Sequence, residues 1–257
     1  MKRMIGLPLA CAMICSLAMP VSADDVLFNV DCSVKYSNAG SDVWASLDND
    51  GVLTISGTGR MDSYIVFDED SERPDYPWLA DEYKSSVSTI VIEDGVTFVD
   101  VGSTMPELKN LYFSNTLEFI NPFDWALCTK LKTAFIPAGI DTSESGDIFQ
   151  LAADDFTIYG YKGTSAEEYA GTYEYSFRAM GDMDADNVID LSDASEILSL
   201  YAGIAAGNTA AADSESPDAA DVDQDGVVGL SDASCVISYY AQNAAGLAAD
   251  WNELMSW

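Results

Sequence analysis

The stretch Asp182-Met183-Asp184-Ala185-Asp186-Asn187-Val188-Ile189-Asp190-Leu191-Ser192-Asp193 returns 39 residues later as Asp221-Val222-Asp223-Gln224-Asp225-Gly226-Val227-Val228-Gly229-Leu230-Ser231-Asp232. Asp182, Asp184, Asp186, Asp190 and Asp193 stand at positions 1, 3, 5, 9 and 12 of the first twelve-residue loop. The second loop has Asp221, Asp223 and Asp225, with Gly229 at position 9 and Asp232 at position 12. Hard Ca2+ takes about six to eight oxygens, and alternating carboxylates closed by a carboxylate at position 12 wrap one chain around one ion. Position 7 supplies a backbone carbonyl, here from Val188 and Val227. Position 6 needs left-handed backbone, which Gly226 supplies and which Asn tolerates best among non-glycine residues, as at Asn187. Gly229 has no side chain to offer, so water is expected at that vertex. The first loop, with five carboxylates against four, is expected to bind more tightly. Two loops at one offset point to two calcium ions, where a lone Asp-x-Asp-x-Asp in an acidic chain is more often a solvated turn.

Working outward, each loop runs into apolar residues at helical spacing: Leu191, Ala194, Leu198 and Tyr201, then Leu230, Ala233, Ile237 and Tyr240. Ile197, Leu200, Val236 and Tyr239 widen the stripes. Either all this surface packs helix against helix, or one face packs and the other awaits a partner. Over residues 182–202 and 221–241, 12 of 21 aligned positions are identical. The segment between the copies, Gly203 to Ala220, is rich in Ala, Ser and Asp and reads as a partly helical connector. Residues 181–257 carry 15 acids and no Lys or Arg, whereas 24–180 hold most of the aromatics. That shift predicts a domain boundary, with domains at 24–180 and 181–257.

The whole chain of 257 residues has 43 acidic and 11 basic residues, a formal charge of -32. Such a field argues against nucleic acid or anionic lipid as partner. Histidine is absent, which excludes an imidazole base, Ser-His-Asp or Cys-His catalysis and His-ligated zinc. Lys2 and Arg3, the apolar run Met4 to Met19 and the small residues of Pro20-Val21-Ser22-Ala23 read as a secretory signal peptide over 1–23. Secretion is therefore expected, without a membrane span in the mature chain. Cys32, Cys128 and Cys235 then remain, without metal-ligand spacing. They read as small buried hydrophobes, with a Cys32–Cys128 pair left open.

The first domain holds a looser repeat. Val87, Ile90 and Ile92 share the pattern L-x-x-L-x-L with Leu108, Leu111 and Phe113 and with Leu131, Ala134 and Ile136, and Phe156 and Ile158 begin a fourth copy. The third anchors lie 21, 23 and 22 residues apart, and Val96, Leu117 and Ile140 recur six after the middle anchors of the first three copies. One short strand per coil follows, with coils stacked over one core. Ahead of the coils, Trp44-Ala45-Ser46-Leu47 and Val52-Leu53-Thr54-Ile55 flank Asp48-Asn49-Asp50-Gly51, a hairpin whose acids serve the turn. Thr164 to Tyr173 reads as a short helix capping the stack. The fold class expected is α+β: a leucine-rich-repeat β-solenoid with an N-terminal hairpin, plus a small all-α duplicated EF-hand-like unit.

Gly181 through Tyr201, with its copy from Asp221 to Tyr240, resembles a type I dockerin. Dockerins are calcium-loop-plus-helix modules that plug into cohesin domains of cellulosomal scaffoldins. The resemblance implies a cohesin contact through Leu191, Ser192, Leu198 and Ser199 of one copy and Leu230, Ser231, Ile237 and Ser238 of the other. Nearly equal copies imply two docking orientations related by a half turn. The Lys or Arg common on this face in the family is missing here, so the contact is expected to be largely apolar. Family members often join their chain ends through stacked aromatics, which here would set Trp251 and Trp257 against Tyr175 or Phe177. The alternative is a frayed tail. Trp44 through Gly59, Pro77-Trp78, Val91 through Val96 and Ile158 through Tyr161 resemble BspA-like leucine-rich repeat proteins, which bind proteins or surfaces. A secreted, non-catalytic cellulosome component is the function these resemblances imply, its repeat domain meeting a protein, surface or polysaccharide. The rivals are a glycoside hydrolase anchored by its dockerin, and an adhesin. A hydrolase needs only two carboxylates at suitable spacing, but no pair stands out.

Overall fold

The computed structural model describes residues 26–34, 40–62, 76–101, 105–118, 120–121, 125, 127–143, 145–208 and 217–255. The expected signal peptide, Trp257 and most of the connector between the duplicated copies lie outside them. The chain divides into two compact units between Arg178 and Ala179.

The first unit is built on a mixed sheet. Strands β1 (Val26–Asp31), β2 (Asp42–Asp48) and β3 (Val52–Arg60) are antiparallel neighbours. The β2–β3 turn is held by Asp48, whose Oδ1 accepts from the backbone of Asp50 at 3.0 Å and of Val52 at 2.9 Å. These acids do turn work, satisfying backbone donors where the chain reverses. Removing that acceptor by Asp48→Ala is expected to cost about 1 kcal/mol, read as a lower denaturant midpoint with an unchanged m-value.

From β3 onward the sheet turns parallel. A 3₁₀ turn (Pro77–Leu79) and the single-turn helix α1 (Asp81–Lys84) precede β4 (Thr89–Ile92). β5 (Val96–Phe98) pairs with the end of β3. β6 (Asn110–Tyr112), β7 (Thr133–Ile136) and β8 (Thr157–Gly160) follow, each parallel to the one before in the order β3-β4-β6-β7-β8. The register places Leu53, Ile90, Leu111, Ala134 and Ile158 in one row, all fully buried. The outer anchors Val87, Leu108, Leu131 and Phe156, and the later apolar residues Val96, Leu117 and Ile140, are buried in the same core. No single turn of this chain could cover its apolar edge alone, and neighbours supply that cover. A polar row on the other face keeps the register: Asn110 donates to Thr89 at 3.2 Å and accepts from Thr133 at 2.9 Å. Helix α2 (Ser165–Thr172) buries Ala166, Tyr169 and Ala170, and β9 (Ser176–Ala179) adds a strand beyond β8.

At the hairpin end Trp78 is fully buried, stacked on Tyr76 at 4.5 Å, and its indole donates to the Val101 carbonyl at 3.1 Å. Cys32 and Cys128 are buried thiols with no disulfide between them. Burial, then the neighbouring Asp31 charge, pushes the Cys32 thiol up to about 12, where it is an inert core group.

The second unit carries helix α3 (Leu191–Ala205), the short α4 (Pro217–Ala220), α5 (Leu230–Ala244) and the short α6 (Trp251–Leu254). Ala194 and Ile197 of α3 and Ala233 and Val236 of α5 are buried, and the two long helices pack on each other. Both end in the same way. Gly207 (φ 77°) and Gly246 (φ 73°) take left-handed backbone, and Asn208 and Leu247 donate back to the carbonyls of Gly203 and Gln242. The duplication thus runs through the helix ends, past the aligned sequence identity. Trp251 is neither frayed nor set against the first unit's Tyr175: its ring stacks on Tyr239 at 4.4 Å.

Candidate metal centres and docking face

Both loops fold through one backbone network. Asp182 Oδ2 accepts from Asn187 N at 3.1 Å, and Asp221 Oδ2 from Gly226 N at 3.1 Å. Asp184 and Asp223 accept from the amides of Asp186 and Asp225, and these in turn accept from Val188 and Val227. The residue closing each loop spans it. Asp193 accepts from Met183 N and Asp190 N, both at 2.8 Å. Asp232 accepts from Val222 N at 2.6 Å and Gly229 N at 2.7 Å. Each turn of chain therefore aims a carboxylate inward while its amides hold the next carboxylate in place.

Position 6 is left-handed as the residue types require, at Asn187 (φ 66°) and Gly226 (φ 87°). Position 4 is left-handed as well, at Ala185 (φ 61°) and Gln224 (φ 59°). Nothing in those side chains announces it: an L-residue there costs roughly 1 kcal/mol, which the rest of the loop must outweigh.

Carboxylate oxygens of Asp182, Asp184 and Asp193 lie within 4.8 Å of one another, as do those of Asp221, Asp223 and Asp225. Oδ1 of Asp182 and Oδ1 of Asp221 are buried without a hydrogen-bond partner. A buried acceptor left open beside two further carboxylates is the donor set a hard cation completes, so the residues fit Ca2+. The electrostatics agree. Burial first, then the charges of Asp232, Asp223 and Asp225, raises the Asp221 carboxyl above its usual range. Burial likewise raises Asp232 and Asp193, the latter further lifted by Asp184 and Asp182.

The remaining candidates stand apart from these triplets. Asp186 and Asp190 are outside the first, and Asp232 is outside the second. Asp190 Oδ1 accepts from the amide and hydroxyl of Ser192, both at 2.7 Å, which caps α3 and lowers its carboxyl. That capping role is legible from Asp-x-x-Asp ahead of an apolar run, a signal the ligand reading overlooked. Gly229 occupies the same place before α5 and has no side chain to cap with. The side chains of Val188 and Val227 are exposed.

Along the outer helix faces, Leu191, Leu198, Tyr201, Leu230, Ile237 and Tyr240 are all exposed. Ser192 and Ser199 are exposed beside them, and Ser231 and Ser238 are half-buried. One face of each helix packs and the other stays in water, so helix-against-helix packing does not consume both.

Residues 180–241 match the family model for the dockerin type I domain. No curated protein matches the chain. A solved structure of a leucine-rich repeat protein from Eubacterium ventriosum is similar to it at 18% identity and a TM-score of 0.32, over 51% of this chain and 38% of that one.

Proposed function

We propose, from a C-terminal dockerin type I domain, that this chain is a secreted, non-catalytic cellulosome component. A dockerin implies cohesin-binding, cellulosome-type association. The observation that carries the reading is the pair of aspartate triplets beside two exposed apolar stripes. Two calcium ions are held, one per loop. Asp182, Asp184 and Asp193 hold the first, with Asp186, Asp190 and the Val188 carbonyl completing its shell. Asp221, Asp223 and Asp225 hold the second, with the Val227 carbonyl and Asp232. When bound, each ion supplies the positive charge that lets the carboxylates converge. The loop backbones then orient α3 and α5 so that Leu191, Ser192, Leu198 and Ser199, or Leu230, Ser231, Ile237 and Ser238, meet a scaffoldin cohesin.

The signal peptide over 1–23 delivers the chain outside the cell, and no helix among the described residues is long and apolar enough to cross a membrane. The parallel one-strand-per-turn unit over 24–180 is a leucine-rich repeat β-solenoid of BspA-like type, which displays an extended face to a protein, surface or polysaccharide. The test is calorimetric titration of the mature chain, residues 24–257, with a type I cohesin domain in calcium and in chelator. One-to-one binding in calcium, lost on chelation, is the expected result. Calcium-independent binding would refute the metal-gated docking. Release of reducing ends from plant polysaccharide by the purified chain would refute the non-catalytic reading.

A further inference from the structure

The two loop-helix copies are built alike except at one place. After Gly246 the chain turns back and α6 lies against α5. Trp251 is buried with its ring parallel to that of Tyr239, 17° between planes. Leu254 is buried, and its carbonyl accepts the Cys235 thiol at 3.3 Å, a thiol itself fully buried. Asp250 caps this turn by accepting from Asn252 N at 2.9 Å. The copy-matched positions on α3 are Glu196 for Cys235 and Leu200 for Tyr239. Glu196 is exposed and Leu200 only half-buried. A carboxylate cannot take the place of a buried thiol donor, so α3 has no chemistry for an equivalent brace.

The brace sits on the flank of α5 and leaves its stripe open. Leu230 is 61% exposed against 50% for Leu191, and Ile237 is 43% exposed against 37% for Leu198. A helix already held along one side loses less conformational freedom when its other side is bound. We infer that residues 250–255 are a latch that makes the two copies unequal, so that a partner docks through the α5 copy in preference to the α3 copy. This rests on the docking reading above.

Two measurements on the calcium-loaded full chain decide it, and the first needs no partner. Amide hydrogen exchange is expected to be about tenfold slower in α5 than in α3, with Trp251→Ala removing the difference and Trp251→Phe keeping it. Equal protection of the two helices in the unaltered chain overturns the latch. The second is titration with a type I cohesin domain. The pair Leu230→Ala and Ile237→Ala is expected to weaken binding about tenfold, while Leu191→Ala with Leu198→Ala changes it little. In the Trp251→Ala background the two pairs should have equal effects. Equal effects in the unaltered background overturn the preference. Absence of any cohesin binding overturns the docking reading instead, and the exchange comparison then judges the latch by itself. Calcium stoichiometry and helical circular dichroism check that each variant folds.

Discussion

Chelating calcium from the full chain removes most of the helical circular dichroism of α3 and α5, fifteen residues each, and restoring two ions per chain brings it back. The cause is local. Asp221, Asp223 and Asp225 hold carboxylate oxygens within 4.8 Å, which at an effective dielectric near 20 is on the order of 3 kcal/mol of repulsion per pair. Burial of the loop-closing Asp193 and Asp232 raises the cost of charge further. Each of these residues also anchors amides at the far side of its loop, so a loop that opens releases the start of its helix. The unit carries no Lys or Arg to offset the acids. Against this stands only a small apolar interface around Ala194, Ile197, Ala233 and Val236. Metal binding and folding are therefore one equilibrium. Unchanged helicity after chelation, at neutral pH and moderate salt, would show that the helices stand without the ions.

The second large effect lies in the first unit. Trp78→Ala is expected to lower its stability by about 3–5 kcal/mol for the lost ring and the cavity left behind. The indole is fully buried, flanked by Tyr76 at 4.5 Å and Phe28 at 6.1 Å. Its removal also strips the Val101 carbonyl of its donor inside the core, a further cost of about 1 kcal/mol or more. For a unit of this size each kcal/mol moves the midpoint by roughly 2–4 °C, so scanning calorimetry should show a fall of roughly 10 °C or more. Trp78→Phe should recover much of it, since the stack survives and only the hydrogen bond is lost. A fall of under about 3 °C for the alanine variant would mean that the aromatic cluster is not what holds the hairpin to the parallel strands.

How far the residues alone reached follows from where the partners lie along the chain. The loops were legible because every candidate ligand falls within twelve consecutive positions. The buried row Leu53, Ile90, Leu111, Ala134 and Ile158 was legible because each turn of chain repeats one apolar pattern. Strand β1 was not recognised: Val26–Asp31 alternates only between half-buried and exposed and gains its place by pairing with β2. Nor was the left-handed backbone at Ala185 and Gln224, where the loop imposes a conformation those side chains do not favour.

Periodicity and spacing by themselves determined the two aspartate loops, the amphipathic helices after them and the recurrent strands, since each depends on neighbours a few residues away. Tertiary structure decided which aspartates converge, that Asp190 caps a helix, and that Trp251 and Leu254 close on Tyr239 and Cys235. Those outcomes depend on chain reversals that bring distant residues to within a few ångströms, and no local pattern encodes which flank of a helix a returning segment will meet.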